Sequence, residues 1–160
     1  MLKYKTEDLL DMAQLYADRV GGCKKVNVGC LILSPDGDTI LALGANRAMP
    51  DLCRCRECMR VEKYGENSKI HRLPEDCRSI HSEVDAICSA ARHGVSLRDT
   101  TAFVTRYPCE PCAKALITAG ITRVIYGGTA KISEQTTDLF DRYGVDVYYV
   151  EGWKEDLSDK

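Results

Sequence analysis

No strong charge of either sign marks this chain: 22 Lys and Arg stand against 24 Asp and Glu, for a net charge of −2. So even a balance offers no basic field to draw in long nucleic acid or an anionic membrane surface, though a small basic pocket is compatible with it. Long hydrophobic runs are also absent. No stretch is long enough to span a bilayer, and the opening MLKYKTEDLLDMAQ lacks the apolar core of a secretory signal. The expectation is a cytoplasmic protein without a membrane partner. Repeats and low-complexity tracts are missing as well. What is present, 160 residues with 44% hydrophobic and 29% charged, suits one globular domain spanning 1–160.

Turn signals and apolar spacing divide the chain. Thr6 is placed to cap a helix in which Leu9, Leu10, Ala13, Ala17 and Val20 recur at helical spacing before Gly21-Gly22. The runs VNVGCLIL (26–33) and TILALGA (39–45), joined by Ser-Pro-Asp-Gly-Asp, predict a hairpin. Residues 46–79 mix charges without a sustained period and read as a cysteine-rich insertion. A helix follows over about 81–93, with Val84, Ile87, Cys88 and Ala91 as its apolar stripe and Gly94 at its end. Strand, helix, strand, helix and strand are then expected at 101–105, 110–119, 122–127, 133–143 and 145–150, with a loose polar tail. Strands alternating with helices after a hairpin imply an α/β fold: a mixed sheet of about five strands with helices on both faces.

Nine cysteines are many for a cytoplasmic chain, and an odd number cannot pair completely in disulfides. Cys30 and Cys88, in apolar surroundings, read as small buried hydrophobes. Cys109 and Cys112, in YPCEPCAK, stand at a predicted helix start. There the helix dipole favours thiolates whether the pair is a redox dithiol or a metal site. HSEVDA separates the two readings, because it sets His81 and Glu83 at another helix start, and a redox dithiol needs neither. His81, Cys109 and Cys112 supply three ligands for zinc and leave a fourth position for water, the catalytic arrangement. Glu83 stands close enough to move a proton without coordinating the metal.

His-Ser-Glu followed by Pro-Cys-Glu-Pro-Cys matches the signature of zinc-dependent nucleobase deaminases. With NVGCLIL, GAN, HSEVDAICSAARHG, FVTRYPCEPCAKALITAGITRVIYGG and GVDVYYV in the same order, the chain resembles the deoxycytidylate (dCMP) deaminase family. The resemblance implies a three-layer α/β/α cytidine-deaminase-like fold and hydrolytic deamination of dCMP to dUMP. Glu83 would be catalytic, with zinc on His81, Cys109 and Cys112. It further implies a small-molecule nucleotide as partner, no long nucleic acid, and a homo-oligomer, either dimer or hexamer. Asn46, Arg47 and Tyr107 are the substrate-binding candidates, with Lys24, Lys25 and Arg106 as further phosphate contacts. Free-nucleoside cytidine deaminases generally carry Cys in place of His81, and tRNA adenosine deaminases usually present a basic surface. Deamination of dCTP, of a modified dCMP or of a base in tRNA is the alternative activity, and a zinc-stabilised binding module the non-enzymatic one. Two departures stand out: the family commonly has Asn where Asp85 stands, and Gly-Tyr-Asn-Gly where this chain has Gly44-Ala45-Asn46-Arg47. Ser82 likewise replaces an Ala.

The insertion holds a second set of soft ligands: Cys53, Cys55, Cys58, His71 and Cys77, with Cys23 after the first helix. Four of these would close a structural zinc and order a segment too polar to fold by burial. By analogy with phage members of the family, the expected four are Cys23, Cys53, His71 and Cys77, with Cys55 or Cys58 able to replace one.

Overall fold

The computed structural model describes residues 3–23, 26–48, 58–65, 77–128 and 132–154. Helix α1 (Thr6–Val20) opens the chain with Glu7 and Asp8 in its first turn, where acids suit the helix dipole. Lys5, in extended backbone, occupies the N-cap, so Thr6 is the first helical residue and not the cap. Strands β1 (Gly29–Leu33) and β2 (Ile40–Ala45) form the expected antiparallel hairpin, although β1 begins three residues later than its apolar run. Then come β3 (Arg47–Ala48), α2 (Met59–Tyr64), β4 (Ser79–Ile80), α3 (Ser82–Arg92), β5 (Thr100–Val104), α4 (Glu110–Ala119), β6 (Ile121–Tyr126), α5 (Glu134–Arg142) and β7 (Asp146–Tyr149).

Five strands make one mixed sheet in the order β2-β1-β5-β6-β7. β1 is antiparallel to β2 and β5, whereas β5, β6 and β7 run parallel. This is the α/β architecture expected from the alternation. Side chains alternate across a strand, and β1 shows it: Leu31 and Leu33 face one cluster, Cys30 and Ile32 the other. Leu9, Leu10 and Ala13 of α1 pack on the first face with Phe103 and Ile125. Ala86 and Ala90 of α3, Ala113 and Leu116 of α4 and Phe140 of α5 pack on the second.

The sequence at 46–79 is closed at its base by a ribbon of β3 and β4, pairing Arg47 with Ile80 and Ala48 with Ser79. The tail differs from expectation. Trp153 is buried among Leu9, Leu10 and Phe103, and its Nε1 donates to Asp11 Oδ1 at 3.1 Å. A single large ring supplies enough apolar surface to dock an otherwise polar segment.

Helix α3 is rotated from the face that its apolar residues suggest. It buries Ser82, Glu83, Asp85, Ala86 and Ala90; Val84 and Ile87 are half-buried, and Cys88 and Ala91 are exposed. Cys30 is buried as expected, but Cys88 is not. The cause is close approach. A Cβ on Gly44 of β2 would lie 2.1 Å from the Ser82 carbonyl oxygen and 2.4 Å from the Ala86 nitrogen. So near the sheet only small residues and short polar groups fit, and the branched side chains are turned to the flanks.

Candidate metal centre and acid pocket

Two helix starts build the site. His81 is the N-cap of α3 and Cys109 the N-cap of α4, both in extended backbone, so each side chain projects from the first turn. Pro111 in the first turn of α4 suits a position where no backbone donor is required. Cys112 follows one turn into α4, and His81 Nδ1 lies 3.3 Å from its Sγ and 3.4 Å from Cys109 Sγ. The three ligand atoms all fall within 4.8 Å of one another, and no other such group occurs among the described residues.

The spacing can be tested against a metal. Tetrahedral zinc, with bonds of about 2.3 Å to sulfur and about 2.0 Å to nitrogen, separates those atoms by roughly 3.5 Å. The observed separations meet that requirement with little adjustment, and the donor set is soft. His81 is exposed, Cys109 half-buried and Cys112 buried, so the centre is open on one side.

The two thiols are pushed in opposite directions. Cys109 is lowered to about 4, first by a hydrogen bond from Cys112 and then by His81, against the opposing effect of burial. Cys112 moves up through the same bond, helped by burial and by the neighbouring Glu83 carboxylate. A cation between them removes that competition, because both sulfurs are then held as thiolates.

Glu83 is only 4% exposed and is pushed up, chiefly by burial. Ser82 Oγ donates to its Oε2 at 3.0 Å, and the same carboxylate is close enough to the Cys112 thiol to raise its pKa. Beneath it in β1, the Cys30 thiol is raised by burial and by the charges of Glu83 and Asp85. The carboxylate thus stands buried beside the His81, Cys109 and Cys112 triangle.

The substrate-binding candidates are placed by what their side chains already hold. Asn46 is buried; its Oδ1 accepts from the Val28 amide at 2.7 Å, and its Nδ2 donates to the Val26 carbonyl at 2.7 Å. Arg47 grips Asp85 through Nε at 3.0 Å and Nη2 at 2.9 Å. Tyr107 is buried edge-on against Tyr126, with its hydroxyl 2.9 Å from Thr137 Oγ1. Arg106, half-buried, precedes it at the approach to Cys109. Lys24 and Lys25 lie outside the described residues, as do Cys53, Cys55 and His71 of the second metal set; Cys23, Cys58 and Cys77 are half-buried. Sequence reasoning missed Ser82 as the partner of Glu83. Its only signal was its place between His81 and Glu83.

ComE operon protein 2 of Bacillus subtilis is 29% identical over 131 residues, covering 81% of this chain and 62% of that protein. Deoxycytidylate deaminase of Enterobacteria phage T4 is 35% identical over 86 residues, covering 53% of this chain and 45% of that one. The chain therefore spans roughly half to three-fifths of the length of these curated relatives. Among solved structures, dCMP deaminase from the cyanophage S-TIM5 in apo form superposes with a TM-score of 0.68 at 23% identity, over 94% of this chain and all of that one, a likeness of fold. No helix among the described residues is long and apolar enough to cross a membrane. A family profile covers residues 3–128, including His81, Glu83, Cys109 and Cys112, and by that match the chain belongs to the cytidine and deoxycytidylate deaminase zinc-binding region family.

Proposed function

We propose that this chain is a hydrolase that converts dCMP and water to dUMP and ammonia, using one zinc ion held by His81, Cys109 and Cys112. The observation that carries the reading is the triangle of one imidazole and two thiols with the buried Glu83 carboxylate against it. Similarity to phage deoxycytidylate deaminase supports dCMP as the substrate. His81, Cys109 and Cys112 would hold the ion and leave a fourth position for water, and bound there it would lower that water's pKa to roughly 7 and so supply the nucleophile for C4 of cytosine.

Glu83 does the proton work. Ser82 Oγ fixes one carboxylate oxygen, and burial raises the affinity of the group for a proton, which suits a residue that must hold one between transfers. It would take one proton from the attacking water to ring N3, then take the second from the new C4 hydroxyl and give it to the leaving amino group, so that C4=O forms and ammonia departs. Asn46 orders the 26–28 segment beside the site through its amide, and Arg106 is the phosphate contact we favour. Tyr107 acts from behind, as part of the wall under the Cys109 turn.

A second, structural zinc on Cys23, Cys53, His71 and Cys77 and a homo-oligomeric state, dimer or hexamer, belong to the same proposal. Metal analysis at two zinc ions per chain and light scattering test them. The substrate is tested by ammonia release from dCMP, deoxycytidine, dCTP and tRNA in parallel. The expected result is turnover of dCMP and far poorer use of deoxycytidine, which lacks the phosphate and its charge-assisted contacts. Equal efficiency on both overturns the mononucleotide assignment.

A further inference from the structure

Asp85 and Arg47, two of the positions where the chain departs from the pattern it resembles, lie 38 residues apart in sequence and meet in space. Asp85, in the first turn of α3 just past Glu83, is 5% exposed. Its Oδ1 accepts from Arg47 Nη2 at 2.9 Å, and its Oδ2 accepts from Arg47 Nε at 3.0 Å and from the Ala45 backbone amide at 3.1 Å. This is a two-pronged pair with a third donor, the arrangement that fixes geometry most narrowly.

The backbone ties the same residues a second time. Arg47 lies in β3 directly opposite Ile80 of β4, and Ile80 precedes His81. The turn from His81 to Asp85 is therefore held at both ends by one residue, through the ribbon at Ile80 and through the side chain at Asp85. β3 leads into the cysteine-bearing insertion and β4 leads out of it, so the base of that insertion is fastened to the turn carrying Glu83.

A buried ion pair is a weak source of stability, because desolvating two charges offsets most of their attraction; its attested use is to specify one arrangement. Here the arrangement specified is that of Glu83 relative to β2 and to the ligand set. We propose that Arg47 is a positioning residue, which through Asp85 fixes the His81–Asp85 turn and so acts on turnover by way of Glu83, and that it does not hold the substrate phosphate. The proposal rests on the deaminase reading for its kinetic half alone.

The test compares zinc-loaded Arg47→Met, Arg47→Lys, Asp85→Asn and the double variant Arg47→Met/Asp85→Asn. Rates with dCMP are measured alongside hydrogen exchange of the 82–86 amides. The single variants should lower kcat about tenfold to a hundredfold, as displacement of a reacting group by about 1 Å does. KM for dCMP should stay within about a factor of two, since substrate contacts are untouched. The double variant should stay as slow as the single ones, because the fork that fixes the turn is gone even though no charge is left buried alone; recovery of kcat would assign the loss to an unpaired charge and overturn the proposal. Exchange at 82–86 should quicken in the single variants and stay quick in the double. If Arg47→Met fails to fold, Arg47→Lys, which keeps the charge but not the fork, carries the same expectation. A rise in KM for dCMP but not deoxycytidine, with kcat intact, makes Arg47 a phosphate contact and overturns the proposal. Unchanged kcat and exchange overturn it too. Should the wild-type chain not turn over dCMP, the deaminase reading fails separately and exchange alone decides: localised quickening at 82–86 supports the pair, uniform quickening removes it.

Discussion

On the α1 face of the sheet, Leu9, Leu10, Leu31, Leu33, Phe103 and Trp153 are buried against one another. On the opposite face, α3 buries Ser82, Glu83 and Asp85 with only Ala86 and Ala90 between, and α4 adds Cys112. Large apolar side chains are buried on both faces, each worth about 1.5–3 kcal/mol when fully buried. The α3 face also accepts buried polar groups at Ser82, Glu83 and Asp85, which stabilise little and become costly when their partners are lost. The second face is apolar too, with Ile32, Leu116, Val124 and Phe140 buried there, but among the described residues it alone adds this group of buried acids and a thiol at the helix starts. Changes on the two faces should accordingly separate stability from turnover.

The largest effect is expected from Glu83→Gln. The amide keeps the shape but cannot shuttle a proton, so turnover should fall by at least the roughly 10²–10⁴-fold that general acid–base catalysis supplies. Zinc content, measured on the same sample, should be retained, and thermal stability should be unchanged or raised, because a carboxylate that burial disfavours is removed. Near-normal turnover would take Glu83 out of the mechanism. On the other face, Trp153→Ala should cost about 3–5 kcal/mol by denaturant unfolding, the range for emptying a large buried ring. Its kcat, measured well below the unfolding transition, should match wild type; a loss of kcat at constant fold would erase the distinction between the faces.

Gly44→Ala sharpens the contrast at the point where the sheet and α3 touch. The added methyl meets the Ser82 carbonyl and the Ala86 nitrogen, neither of which is a flexible side-chain end. Overpacking of this kind costs about 1–3 kcal/mol, and by shifting α3 it should lower kcat as well. Loss of stability with kcat intact would mean that α3 moves without disturbing Glu83.

The smallest effect belongs to Asp11, whose carboxyl is held below the usual carboxylate range by the hydrogen bond from Lys154 and then by that from Trp153. A depressed folded-state pKa gives stability that is present above the unfolded value near 3.8 and is lost as pH falls through the folded value. Asp11 lies near the surface, so Asp11→Asn should remove no more than about 1 kcal/mol at neutral pH. It should also flatten the acid limb of the stability curve, read by unfolding at pH 7 and pH 3. An unchanged acid limb would show that the carboxylate contributes nothing through Lys154 and Trp153.

By itself the sequence determined the main helices and the five strands of the sheet and singled out the candidate metal ligands, because both are written in short-range order; β3, α2 and β4, in or beside the stretch without a sustained period, it did not show. A strand or helix follows from the spacing of apolar residues and its bounding turn. A side chain at a helix start projects outward beside the positive end of the dipole wherever that helix docks, so His81, Glu83, Cys109 and Cys112 were legible before any packing was known. Only the tertiary structure decided which way α3 turns, leaving Cys88 outside and Asp85 inside, and only it showed that Trp153 closes the far face. The apolar pattern of α3 misleads because the near approach of β2 at Gly44 admits small and polar groups and displaces Val84 and Ile87 to the flank. The amide of Asn46 bridging Val26 and Val28, and the grip of Arg47 on Asp85, join residues far apart in the chain. No local pattern encodes such contacts, since they exist only once the sheet has set the distance between its strands and its helices.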